Sequence, residues 1–205
     1  MSEWRFAKHI DQNRGRRLWT TALGVAALLP AVALAHPGHE PLSGLAAGML
    51  HPLTGLDHLL AMLLVGMWSA QRGGHARWSG PLLFVVAMLA GSVFAQVQPG
   101  AAALDTVIMV SVLALGLLVA LQARLAPWFA AALIAGFAMF HGHAHGVEMP
   151  AYARTAFTVG FSVATLSLHL AGVAFATYLL KSNRPGLLRA AGAAAAVSGM
   201  VLLGA

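Results

Sequence analysis

Six apolar segments dominate this chain, at about 42–70, 79–96, 101–122, 127–146, 154–180 and 186–204. Only short connectors separate them. A helix needs roughly 20 mostly apolar residues to cross a bilayer, and each segment is near that length. Charged residues make up 9% of the 205-residue chain, against about a quarter in soluble domains. The pattern excludes a water-soluble fold and leaves no length for a sizeable extramembrane domain. The expected fold class is all-α, a polytopic membrane helix bundle of six transmembrane helices.

A further apolar run, Leu18 to Leu34, precedes these segments and follows the basic stretch Arg14-Gly15-Arg16-Arg17. It ends in Ala33-Leu34-Ala35, a small-residue cleavage pattern that makes residues 1–35 a signal peptide or an uncleaved signal anchor. Residues 36–205 then form the membrane domain, with His36 on the outer face. From that start, the inner loops carry Arg72, Arg77, Arg124, Lys181, Arg184 and Arg189, and the outer loops only Arg154. This asymmetry sets a cytoplasmic side in the bacterial inner membrane and a periplasmic mature N-terminus. It also accounts for the formal charge of +6 without nucleic acid, which is not an expected partner. The expected partners are membrane lipid and a divalent cation, and a homo-oligomer is compatible with the sequence.

Beyond His36 the acidic residues are Glu40, Asp57, Asp105 and Glu148. Glu40, Asp105 and Glu148 fall near outer ends, where negative charge concentrates cations. Asp105 opens the third span and reads as a partner of the helix dipole. Asp57 belongs to the first cluster that carries chemistry, His51-Pro52-Leu53-Thr54-Gly55-Leu56-Asp57-His58. At 1.5 Å per residue His51 lies roughly 14 Å from a helix start near Leu42, close to mid-bilayer. Ionisable groups at that depth normally mark ion pathways. Pro52 is expected to kink the helix and Gly55 to loosen it; broken helices at this level serve many transporters as ion sites. On a regular helix His51 and His58 share a face, with Asp57 about 100° from His58. Two imidazoles and a carboxylate suit nickel, cobalt or zinc. A polar network that pins helices together is the structural alternative.

The second cluster is Phe140-His141-Gly142-His143-Ala144-His145-Gly146-Val147-Glu148. If the fourth span continues through it, His141, His145 and Glu148 fall at i, i+4 and i+7 on one face. Gly142 and Gly146 form a small-residue step for close approach of another helix. His143 points elsewhere. A solvated histidine-rich loop is the alternative here. The two clusters either act as successive stations or converge, and the sequence leaves both open. His169, in the fifth span, is a further candidate ligand or a core histidine. His36 and His39, near the mature N-terminus, are weak accessory ligands, since Pro37 lacks the amide N–H of a square-planar site.

Cysteine is absent, so metal ligands come from imidazole, carboxylate, thioether or backbone oxygen. Neither Lys8 nor Lys181 follows a glycine, which excludes a phosphate-binding loop of the G-x-x-x-x-G-K-[ST] kind. Transport is then passive, gradient-coupled or driven by a partner.

His51-Pro52-x-x-Gly55-x-Asp57-His58 with Met62, together with Phe140-His141-Gly142-x-Ala144-His145-Gly146-x-Glu148, resembles the HupE/UreJ family of secondary nickel transporters. Ala164-Thr165…Leu168-His169-x-x-Gly172 is similar to that family's fifth helix. The resemblance runs from about His36 to the end. It implies a cleaved signal peptide, six helices, and nickel supply for hydrogenase or urease maturation, with His51, Asp57, His58 and Glu148 important for transport. Some members are proposed to carry cobalt. The metal is cargo, no permanent cofactor is implied, and the chain is not expected to be an enzyme. His143 occupies a position that the motif leaves open.

Two other readings compete. An intramembrane zinc hydrolase would use His51, His58 and His169 as ligands and Asp57 as base, though no H-E-x-x-H pairing is present. A non-transporting subunit would use the same residues for assembly. For the permease, the outer acids and the His141/His145/Glu148 stripe recruit the ion, which then meets His51, Asp57 and His58, with His169 completing the shell. Neutral imidazole is the ligand form, so uptake is expected to fall below roughly pH 6.5.

Overall fold

A computed structural model describes residues 44–98 and 103–204. Seven helices make up this part: α1 (Gly44–Thr54), α2 (Leu56–Arg72), α3 (Ala76–Val97), α4 (Leu104–Ala120), α5 (Pro127–Glu148), α6 (Arg154–Lys181) and α7 (Pro185–Leu203). The described residues contain no strand. The expected signal peptide, its cleavage site and His36 and His39 lie outside the described residues.

The first apolar segment folds as two helices, α1 and α2, that meet at 82°. Pro52 does not make the break, contrary to the sequence expectation. It sits buried inside α1, and the helix runs two residues further. Gly55 makes it, with φ −95° and ψ 121°, an extended conformation between two helical stretches. The break interrupts the backbone ladder, and Thr54 Oγ1 donates to the His51 carbonyl at 2.8 Å. On the far side the Leu59 N–H reaches the Gly55 carbonyl at 2.9 Å and starts α2. His51 and His58 therefore do not share a face of one regular helix. They belong to two helices whose ends turn toward each other.

Helices α3, α6 and α7 are each long and apolar enough to cross a membrane, and α1 with α2 makes a fourth crossing if the bent pair is one span. Helix α4 is apolar but has only 17 residues. Helix α5 has 22, with three histidines and a glutamate in its last eight. The chain is thus a helical membrane protein.

Packing pairs α3 with α5, α4 with α7, and α6 with both α1 and α2. Between apolar helices in lipid, close backbone approach replaces the hydrophobic drive. Gly142 shows this: a Cβ there would strike the Met88 backbone carbonyl of α3. Gly66 does the same for α2, where a Cβ would strike the His169 carbonyl of α6. The small-residue step expected of Gly142 and Gly146 is therefore the α3–α5 contact, because Gly146 faces Ser92 and Ala95. At the opposite end of α2, Trp68 Nε1 donates to the Ala123 carbonyl at 2.9 Å and Gln71 Nε2 to Val119 at 3.0 Å. Arg72 lies over the Trp68 ring, 5.2 Å from its centroid.

Candidate metal site

Helix α5 continues through the second histidine cluster to Glu148, so the i, i+4, i+7 stripe exists as a physical face. His141 and His145 are fully buried, and Glu148 is exposed at the helix end. The bend at Gly55 turns the first cluster toward this stripe. His51 Nε2 meets Glu148 Oε2 at 2.9 Å. The His145 ring lies 4.8 Å from that of His51 and 4.7 Å from that of His58, centroid to centroid. His58 and His141 are 5.4 Å apart, His51 and His58 6.1 Å. The two clusters converge into one group of four imidazoles and a carboxylate.

Ligand atoms of His51, His145 and Glu148 all lie within 4.8 Å of one another. Metal–nitrogen bonds of about 2.0–2.1 Å place two ligands of one ion at most about 4.2 Å apart. The three therefore have to draw closer together to share a cation. At present Nε2–H of His51 donates to Glu148, so an ion entering between them displaces that proton.

Hydrogen bonds fix the other rings in a particular sense. His58 Nδ1 is 2.9 Å from Asp57 Oδ1, and His141 Nδ1 is 2.8 Å from the Phe137 carbonyl. These oxygens accept only, so Nδ1 carries the proton and Nε2 keeps the lone pair in the neutral ring. Nε2 of His58, Nε2 of His141 and both ring nitrogens of His145 are buried without a hydrogen-bond partner. An unsatisfied buried polar atom costs about 1–3 kcal/mol. Such atoms on rings that adjoin one another suit a nitrogen-ligated cation. A carboxylate behind a ligand histidine is also a common arrangement at metal sites, where it sets the tautomer and raises basicity.

Asp57 fills that supporting place. Its Oδ1 accepts from both the His58 backbone N–H, at 2.8 Å, and the His58 ring. It stands in the first turn of α2, where a negative charge complements the helix dipole. Both of these bonds use Oδ1, and through them Asp57 adjoins the converged group by way of His58.

His169 is placed differently from expectation. It does not complete the shell of the first cluster: its ring contact is with Phe84, at 4.9 Å, and Phe84 in turn touches His141 at 5.5 Å. Nδ1 of His169 donates to the Met62 carbonyl at 2.7 Å, and its buried Nε2 has no partner. The hydrolase ligand set of His51, His58 and His169 is therefore not assembled. His143 turns away toward Phe94 of α3, 5.7 Å between rings, as its position on α5 suggested. Asp105 lies exposed in the first turn of α4 without a side-chain cap bond.

Three aromatic residues join the site that no sequence motif marks. Phe157 lies 5.4 Å from His51 and Phe161 4.9 Å from His145, forming a wall from α6. Phe84 touches both His141 and His169. A signal exists for two of them: Phe157, Phe161, Thr165 and His169 recur every four residues, one stripe along α6.

The family model described as HupE / UreJ protein matches residues 24–202. Protein HupE of Rhizobium leguminosarum bv. viciae is 39% identical over 185 residues, 90% of this chain and 96% of that protein. No solved structure matches the chain.

Proposed function

Since the chain belongs to the HupE/UreJ family, we propose that it is a secondary permease that carries nickel into the cell across the inner membrane. Cobalt is the alternative cargo, and hydrogenase or urease maturation the destination of the metal. In this reading the chain crosses the membrane six times after its signal peptide, with the mature N-terminus in the periplasm. The observation that carries the reading is that ligand atoms of His51, His145 and Glu148 lie within 4.8 Å of one another, beside buried ring nitrogens of His58, His141 and His145 that have no hydrogen-bond partner.

The steps follow from the residues. Glu148, half exposed at the end of α5, attracts the hydrated cation and begins to replace its water. His51 and His145 take up further positions, with His58 and His141 adjoining through their Nε2 lone pairs. Imidazole and carboxylate together suit a borderline divalent ion better than calcium or magnesium, which favour oxygen alone. His169 lies eight residues beyond Phe161 on α6, about 12 Å along the helix. It serves as the next nitrogen on the way inward, beside Phe84.

The test is nickel accumulation in nickel-starved cells that lack other uptake systems, at matched membrane abundance. Wild-type chain is compared with His145→Ala, His58→Ala and Asp57→Ala. Loss of accumulation in all three variants is expected. Accumulation equal to wild type in His145→Ala and His58→Ala would sink the permease reading of this site.

A further inference from the structure

The end of the bundle remote from Glu148 has a cavity of its own. It lies between the start of α3 and the last turns of α6 and has a volume of about 470 Å³. Leu170 and Val173 form its apolar floor, and Arg77 and Lys181 bring two positive charges to its edge. Among the described residues neither cation has a salt-bridge partner, since the ion pairs there are His51–Glu148 and His58–Asp57. Arg77 Nε and Thr177 Oγ1, both of cavity-lining residues, are buried without a hydrogen-bond partner. Trp78 and Tyr178 flank them, 53% and 63% exposed.

We propose that this cavity binds an anionic phospholipid of the adjoining leaflet. Arg77 and Lys181 hold the phosphate, and the Thr177 hydroxyl supplies a further donor. An acyl chain lies along Val173 and Leu170. Leu170 is 43% exposed and stands eleven residues before Lys181, about 16 Å along the helix. That length of apolar floor suits a lipid tail and offers a free anion nothing. Trp and Tyr at this level are the side chains that anchor to headgroups, and basic pockets between helices recognise anionic ones. Among the described residues no carboxylate pairs with either cation.

The experiment uses the purified full chain, with lipid retention read by native mass spectrometry and thermal midpoints read with added phosphatidylglycerol, phosphatidylcholine or inorganic phosphate. Phosphatidylglycerol should stay bound and raise the midpoint more than phosphatidylcholine does. The double variant Arg77→Gln/Lys181→Gln should bind it roughly thirtyfold more weakly, from about 1 kcal/mol per basic residue and about 1.4 kcal/mol per tenfold. Arg124→Gln, exposed at the same end, should bind it like wild type. Equal retention by the double variant, or equal preference for phosphatidylcholine, overturns the proposal. Inorganic phosphate that reproduces the whole midpoint shift also overturns it, assigning the cavity to a free anion. If the double variant does not fold, the exposed Lys181→Gln alone decides: a severalfold loss supports the lipid site and no loss overturns it.

Discussion

His51 of α1 and Glu148 of α5 touch at 2.9 Å, Nε2 to Oε2, joining the two histidine motifs of the chain. The contact exists because α1 ends at a break, and His51 there faces the end of another helix. Glu148→Gln keeps the size of the side chain and its carbonyl acceptor while removing the charge. Nickel affinity of the purified chain, measured by titration calorimetry, should fall at least about tenfold. Unchanged affinity would remove Glu148 from the ligand set.

Asp57 supports His58, and that role is separable from ligation. Asp57→Asn retains an oxygen near the His58 ring but loses the charge that raises its basicity, so affinity should drop roughly 10–100-fold. X-ray absorption on the nickel-loaded chain distinguishes the two roles. A positioning residue leaves the number of nitrogen and oxygen ligands unchanged in Asp57→Ala; a direct ligand takes one away.

Close packing of α3 and α5 holds the stripe of His141 and His145 in place. Gly142→Ala puts a methyl group against the Met88 backbone carbonyl, and backbone on both sides must shift. Overpacking of this kind costs about 1–3 kcal/mol. The thermal midpoint should fall and nickel binding weaken with it. At Gly136, on the same helix, a methyl group would meet nothing within 4 Å, so Gly136→Ala should leave both unchanged. Equal losses in the two variants would show that the Met88 contact is not responsible.

Local pattern made much of this legible in the sequence. Apolar length located the helices to within a few residues, from α3 at 76–97 against 79–96 expected to α7 at 185–203 against 186–204. The four-residue spacing of His141 and His145 placed both on one face, and the odd position of His143 sent it to Phe94. Other features depended on contacts between distant segments. Proline is the stronger helix breaker by its chemistry, yet it is Gly55 that breaks this helix. Whether the clusters would meet depended on that bend, which no spacing rule contains. Asp57 has the chemistry of a ligand, and only its bonds to His58 show it occupied. His169 has the same chemistry as His141, but its ring contact is with Phe84 and not with the histidines of the first cluster.

Protons and metal compete for the same imidazole lone pairs, because a ligand nitrogen must be unprotonated. Lowering pH adds protons to the free site and not to the metal-bound one, so nickel affinity should fall steadily from about pH 8 to about pH 5. A flat profile with wild-type chain would show that no ligand imidazole takes up a proton in this range.

His169 touches Phe84 and not the rings of His51, His58 or His145, so its contribution should be to passage and not to capture. Its Nδ1–H donates to the Met62 carbonyl, which leaves Nε2 aimed away from that anchor and available to a passing ion. His169→Gln preserves a donor for the Met62 carbonyl but lacks the imidazole lone pair. Nickel affinity of the purified chain should match wild type, while the initial rate of uptake into vesicles falls severalfold. His141→Gln, whose Nε2 adjoins the converged group, should lower affinity and rate together. Loss of affinity in His169→Gln would join it to the outer ligands. An unchanged rate would leave it a core histidine that ties α6 to α2.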